Sequence, residues 1–445
     1  MRRSFSTLGG LLALLLAGAA SAQLVFWTTE VQPERMAKQQ QIVADYQAKT
    51  GTSVQLVPVE ESELGPRVTA AFSAGELPDV ILTPLSQTIG WADAGIFDTA
   101  AANEVVDTLG RGTFAPGALD LVAYQGDTAL VPISGWTQLI VYRKDLFDAN
   151  GLQPPTTFAA MEKAAETLGN PPDMFGFVAA TDVNNDYMMQ VLEEFFLANG
   201  VSLVGPDGKV SLDKAKTVEV LNFYKKLADA SPAGNLYWQQ SRELYLAGRA
   251  AMVVWSPFIL DELAGLRNDV PVTAFDDPTS PRLAENTGFV TRVSGPSNPG
   301  GAGWASVTYL GITVDADTAK AQQFVEYLLS DGYLDWLSFA PEGFFPVRRG
   351  TSDQPTMYVD GWSKLPVGVD RKAPLSQFYA PDVIANIVAG LDTGSRWAYS
   401  KGQGALIGRL YGTRVMAELV RSFLDGDRTA EETADLLQQR VAALE

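Results

Sequence analysis

Four of the nine tryptophans stand where predicted strands end or where a strand meets a loop. Trp27 ends the first predicted strand, Trp136 follows a glycine inside a long extended run, Trp255 ends a buried strand, and Trp304 lies in a glycine-rich loop. An indole face placed at an element end can stack on the apolar C–H face of a ring-shaped ligand. These tryptophans therefore predict an aromatic binding surface, whereas Trp91, Trp336, Trp362 and Trp397 lack such placement and are assigned to packing.

Polar side chains follow two of the predicted strands directly. Thr28, Thr29 and Glu30 come after the first strand, and Ser86 and Gln87 come after the third. The carboxyl ends of parallel strands meet at one edge of a sheet, where ligands bind in open α/β folds. Hydroxyl, amide and carboxylate groups at that edge can bind ligand hydroxyls.

A polar cluster from Asp182 to Asp186 also resembles part of a calcium loop. Asp182, Asn184, Asp186 and Glu193 stand at positions 1, 3, 5 and 12 of an EF-hand pattern. Position 6 is Tyr187, where the pattern requires glycine for a sharp turn. The sequence therefore favours a polar loop, in a cleft or on the surface, with Asp182 and Asn184 as candidate ligand contacts. We expect neither a metal nor another cofactor.

The chain contains no histidine and no cysteine among its 445 residues. It therefore has no Ser-His-Asp or Cys-His nucleophile and no histidine-ligated metal. If the protein were an enzyme, its mechanism would depend mainly on paired carboxylates, as in glycoside hydrolysis. Stability has to come from core burial, which a chain of this length permits.

The elements that must position these residues follow an α/β pattern. Alternating strands and helices are predicted over 24–27, 33–49, 54–59, 61–74 and 80–82. Such a β-α-β-α-β order predicts a mostly parallel, doubly wound sheet. A long extended run over 130–142 is interrupted at Ser134-Gly135, and glycine within a strand often marks a bend or a close backbone approach.

The rest of the chain is predicted to form a second globular unit, after which the chain re-enters the first unit. Residues 276–303 are rich in proline, glycine, serine and asparagine and are predicted to be an irregular loop. A strand over 306–314 and a helix over 317–329 come next. The last helix is predicted to begin at Thr429, with Glu432 completing a capping box.

The first 22 residues have the features of a secretory signal peptide. Arg2 and Arg3 precede an apolar run from Leu8 to Ala20, and Ala20-Ser21-Ala22 is a small-residue cleavage site. Cleavage between Ala22 and Gln23 would release a periplasmic or secreted protein, and no later stretch predicts a membrane span. The formal charge of −19 becomes −21 without the two arginines of the leader, which disfavours binding to nucleic acid or anionic lipid.

Several segments, taken in order, resemble the extracellular sugar-binding proteins of bacterial ABC importers, the maltose-binding-protein-like family 1 solute-binding proteins. The most specific are Tyr142-Arg-Lys-Asp-Leu-Phe147 and Gly248-Arg-Ala-Ala-Met252. The others are Leu24–Trp27, Gly75–Val80, Val131–Phe147, Gly151–Thr157, Ala247–Trp255, Gly301–Trp304 and Phe344–Arg348. The resemblance extends over nearly the whole chain after the leader.

The resemblance implies a type II periplasmic-binding-protein fold: two α/β lobes, each with a doubly wound and mostly parallel sheet, and a ligand cleft at the hinge. Phe345 would lie at a hinge crossing, and Arg348 would either bind ligand or form an interlobe salt bridge. The implied N-terminal lobe comprises residues 23–134 and 306–343, the C-terminal lobe comprises 137–303 and 346–445, and the hinge crossings lie near 134–136, 304–306 and 344–346.

The resemblance also implies a function. The protein would capture a sugar or oligosaccharide by hinge closure and deliver it to a membrane-embedded ABC permease, without catalysis and without membrane insertion, and we expect a monomer. The same importer class with a polyamine, a phosphodiester or a peptide as ligand stays open as an alternative. A secreted, carboxylate-dependent glycoside hydrolase is a further alternative, although no segment resembles a glycosidase.

Overall fold

The computed structural model describes residues 23–445, so the predicted signal peptide over 1–22 lies outside the described residues. The strands in chain order are β1 (Leu24–Thr28), β2 (Val54–Pro58), β3 (Val80–Pro84), β4 (Ala123–Tyr124), β5 (Asp127–Thr128), β6 (Val131–Thr137), β7 (Leu139–Arg143), β8 (Met252–Trp255), β9 (Thr287–Val290), β10 (Val293–Gly295), β11 (Asn298–Ile312), β12 (Phe345–Pro346), β13 (Pro366–Val367), β14 (Ala373–Pro374) and β15 (Gly394–Ser395). The helices in chain order are α1 (Pro33–Thr50), α2 (Glu61–Ala74), α3 (Thr88–Asp93), α4 (Thr99–Thr108), α5 (Pro116–Asp120), α6 (Lys144–Ala149), α7 (Phe158–Leu168), α8 (Asp186–Ala198), α9 (Lys214–Asp229), α10 (Trp238–Leu246), α11 (Ile259–Leu263), α12 (Arg282–Glu285), α13 (Thr318–Leu328), α14 (Tyr333–Leu337), α15 (Met357–Trp362), α16 (Pro381–Thr393), α17 (Gly404–Thr413), α18 (Val415–Leu424) and α19 (Ala430–Ala442).

The predicted β-α-β-α-β order at the start of the chain is confirmed. Helix α1 begins at Pro33, whose ring fixes a helical φ and whose missing N–H would have been unpaired at this position in any case. It ends at Thr50 and is capped by Gly51, which adopts φ +78° and donates its N–H to the Gln47 carbonyl. Local start and stop signals thus set the bounds of this helix.

The first sheet has the strand order β12-β6-β11-β3-β1-β2. Strand β1 pairs in parallel with β2 and β3, while β11 pairs antiparallel with both β3 and β6. Strand β6 therefore runs in the same direction as β1 and β3. In register, Thr308 of β11 lies opposite Pro84, and Ala305 lies opposite Thr137. The carboxyl ends of β1, β3 and β6 consequently share one edge of the sheet.

Glycine 135 allows a close backbone approach within this sheet, as its position inside a strand predicts. A Cβ atom at Gly135 would lie 2.8 Å from the Ser306 carbonyl oxygen of β11. On the other side of β6, Phe345 of the short strand β12 pairs with Gly135. Strands from three distant parts of the chain thus meet at this point.

A second, smaller sheet has the order β8-β7-β9. The chain passes from the first sheet into the second through a single residue, Gln138, because β6 ends at Thr137 and β7 begins at Leu139. The expectation of a mostly parallel second sheet is wrong for these ladders, since β7 pairs antiparallel with both neighbours. Pairing between segments more than 100 residues apart leaves no periodic signal that would reveal strand direction.

The prediction of an irregular loop over 276–303 is also wrong. This segment contains α12, β9, β10 and the first part of β11. Its glycines serve close packing: a Cβ at Gly288 would lie 2.2 Å from the Tyr142 ring, and one at Gly303 would lie 2.2 Å from the Thr291 carbonyl oxygen. Glycine in a strand can mark such an approach as well as a break.

The C-terminal helices pack onto the second part of the molecule. Thr429 and Glu432 form the predicted capping box at the start of α19. Helix α19 contacts α18 and α9 and buries Leu437 and Val441. Each helix within residues 23–445 is too short or too polar to cross a bilayer.

Candidate ligand-binding site

A cavity of about 450 Å³ lies beside Gln138, where the chain crosses between the two sheets. Its volume falls within the roughly 300–1,000 Å³ that is typical of small-molecule sites. Helices α8, α10 and α11 and the end of β8 supply most of its wall. Its lining residues are Trp136, Gln138, Asn185, Asp186, Tyr187, Gln190, Trp238, Arg242, Trp255, Ser256, Phe258, Glu262 and Arg267.

Two tryptophans form an aromatic wall of this cavity. The rings of Trp238 and Trp255 are stacked, with centroids 5.0 Å apart and planes inclined by 15°. Tyr187 meets the edge of this pair, 5.7 Å from Trp255, and its hydroxyl donates to the Val254 carbonyl. The stack fixes the orientation of a broad apolar face that can bind the C–H face of a ring.

A buried ion pair lies next to this wall. Arg242 donates to Glu262 at 2.8 Å, and its guanidinium lies 4.9 Å from the centre of the Trp238 ring. The side chains of Arg242 and Glu262 are 13% and 2% exposed. A buried pair of this kind holds both groups in a fixed orientation toward the cavity.

Several polar atoms around the cavity have no hydrogen-bond partner within residues 23–445. They are both amide atoms of Gln138, Nε1 of Trp255, Oγ of Ser256, Nε of Arg242 and Oε2 of Glu262. Most buried polar atoms in proteins are paired, and an unpaired one costs roughly 1–3 kcal/mol. This concentration of donors and acceptors beside an aromatic face fits a ligand that has both an apolar face and several polar groups.

A second cavity, of about 730 Å³, shares Phe258 and Arg267 with the first. The start of α1 forms one of its sides, and the segment from Pro366 to Lys372 forms another. The two cavities therefore adjoin, and the combined space reaches from the smaller sheet to the first helix.

The candidates after β1 and β3 lie at the same sheet edge as Trp136, but they line neither of these two cavities in the described residues. Trp27 is partly exposed and lies under the Arg67 guanidinium, and Thr28 is fully buried. Thr29 is partly buried, and Glu30 forms an ion pair with Arg35. The exposed Ser86 and the partly buried Gln87 form the short turn after β3.

Trp136 and Trp304 pack against each other, with ring centroids 5.0 Å apart. Trp136 lines the first cavity, whereas Trp304 is only 2% exposed and lies behind it. Trp304 donates its Nε1–H to Glu193 at 3.1 Å, and the Arg396 guanidinium covers its ring at 4.3 Å. The structure therefore places Trp304 where it can support Trp136.

The polar cluster around Asp182 separates into two groups. Asp182 accepts from the backbone of Asn184, and Asn184 accepts from Arg414, so these two side chains do not reach the cavity. Their neighbours Asn185 and Asp186 line it instead. At the twelfth position of the calcium pattern, Glu193 accepts hydrogen bonds from Trp304, Arg396, Trp397 and Tyr411.

Phe345 and Arg348 lie in the interior beside the first sheet. Phe345 is fully buried against Trp362. Arg348 donates to the carbonyl oxygens of Leu109 and Leu329 and to the Tyr358 hydroxyl. These contacts tie loop and helix ends together, and they place the guanidinium in neither cavity.

The sequence did not single out most of the residues that line the first cavity. Trp238, Arg242 and Glu262 lie on short helices whose apolar patterns show only that one face is buried. A partial signal exists at Gln138, which is polar within an apolar extended run. Another is the pair Asp261-Glu262 inside the apolar run from Phe258 to Leu266.

Carboxyl groups with altered acidity surround the junction of the two cavities. Burial raises the pKa of Asp261 to about 7, and the charges of Glu342 and Glu262 act in the same direction. Burial likewise raises the pKa of Glu262 to about 7, against the opposing effect of Arg242. The pKa of Glu342 is raised by burial as well. Between about pH 4 and 7, Asp261 and Glu262 therefore keep protons that free carboxyl groups in water would lose.

This shift predicts that stability falls as pH rises through neutrality. The unfolded pKa values are about 3.9 for aspartate and 4.3 for glutamate. The folded chain thus binds more protons between about pH 4 and 7, and the resulting stabilisation is lost as pH rises through about 7. We expect Asp261→Asn to flatten the decline in melting temperature between pH 5 and 8, measured by calorimetry. The exposed control Glu76→Gln should keep the wild-type slope, and an equal slope for Asp261→Asn would contradict the assignment.

The fold and the site together define a class: a two-lobed α/β binding protein with a candidate ligand cavity beside the chain crossing. The model of the bacterial extracellular solute-binding protein family matches residues 41–364. The chain belongs to this family. Its fold is the two-lobe, type II periplasmic-binding-protein fold that the sequence predicted.

Relatives and solved structures agree with this assignment. YcjN of Escherichia coli (strain K12), which is named for a periplasmic-binding role in an ABC transporter, is 26% identical over 336 residues, or 74% of each chain. The sugar-binding protein MalE of Xanthomonas citri gives a TM-score of 0.71 at 18% identity, covering 95% of this chain and 97% of that one. The cyclic alpha-maltosyl-1,6-maltose binding protein of Arthrobacter globiformis gives 0.69 at 16% identity, covering 95% and 98%. At these identities the structures establish a shared fold.

Proposed function

We propose that this protein is the substrate-binding component of an ABC importer, and that it captures a sugar or oligosaccharide outside the cytoplasmic membrane. The protein would then deliver its ligand to a membrane-embedded permease. The names of the relatives and structural neighbours support this class, since they include sugar-binding and ABC transporter proteins. The leader would direct export and would be cleaved between Ala22 and Gln23.

The observation that carries the sugar proposal is the composition of the first cavity. The Trp238–Trp255 stack offers an apolar face. Gln138, Ser256 and Glu262 surround that face with unpaired donors and acceptors. A pyranose ring has matching parts: C–H groups on its faces and hydroxyl groups around its rim, each able to donate and to accept.

Capture would use hinge closure between two lobes. We propose the lobe limits predicted above, 23–134 with 306–343 and 137–303 with 346–445, joined near 134–136, 304–306 and 344–346. The candidates at the carboxyl edge of the first sheet, among them Thr29, Glu30 and Gln87, would approach the ligand from the N-terminal lobe as the cleft closes. Trp136 and Trp255 would hold it from the other side.

The test uses the protein recovered from outside the cytoplasm of the expressing cell, whose intact mass also checks the cleavage site. Mono- and oligosaccharides are titrated while tryptophan fluorescence and melting temperature are recorded. A ligand that binds only the native state raises the melting temperature by mass action. Saturable binding together with a smaller radius of gyration in X-ray scattering is the expected result. The absence of any response to the sugars would overturn the proposal.

The same panel separates the alternatives. Polyamines, phosphodiesters and peptides are titrated beside the sugars, and a response to one of these alone would keep the importer class and replace the ligand. A chromogenic glycoside series tests for hydrolysis. We expect no turnover, because one of the two carboxylates that line the cavity, Glu262, is already paired with Arg242 and only Asp186 is left to act. Measurable hydrolysis would favour a carboxylate-dependent enzyme.

A further inference from the structure

The second cavity, which adjoins the first, concentrates basic side chains in an acidic protein. Arg35 and Lys38 line it from α1, and Arg267 and Lys372 line it from the opposite side. Two carboxylates, Glu34 and Glu342, also line it, so the formal charge of its lining side chains is +4 − 2 = +2. The whole chain has a formal charge of −19. The lining of the second cavity is therefore positive, whereas the molecule as a whole is negative.

Two of the four basic groups are not neutralised by an ion pair. Arg35 pairs with Glu30 and Arg267 pairs with Asp269, whereas the ion pairs of residues 23–445 include neither Lys38 nor Lys372. Lys38 donates instead to the Ser338 carbonyl and hydroxyl oxygens.

Lys38 and Lys372 line the second cavity from opposite sides, and both side chains keep contact with solvent. Burial lowers the pKa of Lys38, and the positive charge of Lys372 lowers it further, against Asp335, Glu34 and Glu342. Like charges on opposite walls repel each other, and the repulsion grows when a cleft narrows and loses water. An anionic group between the two lysines would remove this cost and form two charge-assisted hydrogen bonds.

The start of α1 adds a further attraction for an anion. Gln32 and Pro33 line the second cavity, and no side chain caps the N-terminus of this 18-residue helix. Free backbone N–H groups and the positive end of the helix dipole favour negative charge at that position. The lysine pair and the helix end therefore act in the same direction.

We propose that the preferred ligand is a sugar that carries an anionic group, a carboxylate or a phosphate. Its ring stacks on Trp255, and its anionic group reaches past Arg267 to bind between Lys38 and Lys372. This inference rests on the proposed sugar-binding function and narrows its substrate class. The anionic group links the two walls of the cleft, so the ligand itself stabilises the closed form.

The experiment compares matched neutral and anionic sugars by calorimetric titration of the full exported protein. Galactose is compared with galacturonate, and glucose with glucuronate and with glucose 6-phosphate, so that the carboxylate and phosphate arms are read separately. We expect an anionic member to bind about tenfold or more tightly than its neutral partner at low salt, and the difference to shrink at about 0.5 M salt. Lys38→Gln and Lys372→Gln should reduce the ratio of the two affinities toward one.

The matched control is Lys163→Gln, an exposed lysine on α7 outside both cavities. It changes the net charge equally and should keep the wild-type ratio. Equal affinity for neutral and anionic sugars in the wild-type protein, or an unchanged ratio in both cavity variants, would overturn this inference and leave the sugar-binding function intact. No binding of any sugar, either in this series or in the oligosaccharide panel described above, would overturn the proposed function itself.

Discussion

Replacing Trp255 by alanine should weaken ligand binding by about 30- to 1,000-fold. Truncating a central aromatic contact in a binding site typically costs about 2–4 kcal/mol, and each 1.4 kcal/mol is about tenfold in affinity. Trp255 also holds Trp238 in its stacked orientation, so its removal disturbs both rings of the aromatic wall. The dissociation constant of the ligand found in the sugar panel, measured by calorimetric titration, checks this expectation.

Two further variants show which part of the indole matters. Trp255→Phe keeps an aromatic face and removes the Nε1–H, which has no partner within residues 23–445. It should lose less affinity than the alanine variant. Trp91→Phe is the matched control, because Trp91 packs on Phe97 in the core and lines neither cavity. Wild-type affinity in Trp255→Ala, with its fold intact, would show that the ligand binds elsewhere.

Replacing Glu193 by alanine should lower the free energy of unfolding by about 3–5 kcal/mol, the usual cost of leaving one partner of a buried ion pair alone. Glu193 is fully buried and accepts from Arg396 at 3.0 Å, and the Arg396 side chain is 9% exposed. The same carboxylate accepts from Trp304, Tyr411 and the Trp397 backbone, so four neighbours lose their acceptor together. Urea unfolding measures the change.

The control for this prediction is an exposed ion pair. Asp435→Ala breaks the contact with Lys214. The side chains of Lys214 and Asp435 are 52% and 64% exposed, so this change should lower the free energy of unfolding by less than about 1 kcal/mol. Glu193→Gln keeps an acceptor of similar shape and should recover part of the loss. A loss from Glu193→Ala no larger than that from Asp435→Ala would contradict the structural role. Because Trp304 supports Trp136, weaker ligand binding should accompany the loss of stability.

The sequence predicted the first third of the fold well because its signals there are local. Apolar spacing and the glycine after α1 depend on residues within one or two turns of each other. The same holds for the capping box of Thr429 and Glu432. The glycine within a strand at position 135 indicated either a bend or a close backbone approach, and the structure shows that the close approach is to β11.

The same kind of reasoning failed where a residue type has two uses. Glycines in 276–303 resemble a loop, but Gly288 and Gly303 allow strands to pack tightly against Tyr142 and Thr291. Arg348 and Phe345 remain predictions of the resemblance; in this structure both side chains are buried among contacts with the surrounding chain. Composition does not reveal which neighbour a residue will meet.

By itself, the sequence determined the α/β class, the order of the first elements and the family, because these are fixed by local patterns and by ordered segments. The sequence also singled out Trp136 and Trp255, and the tertiary structure decided the rest of the candidate site. Gln138, Trp238 and Glu262 come together only when a crossing between two sheets, the start of one helix and the end of another are packed side by side. Long-range packing sets the distances between these side chains, and the spacing of residues along the chain does not indicate those distances.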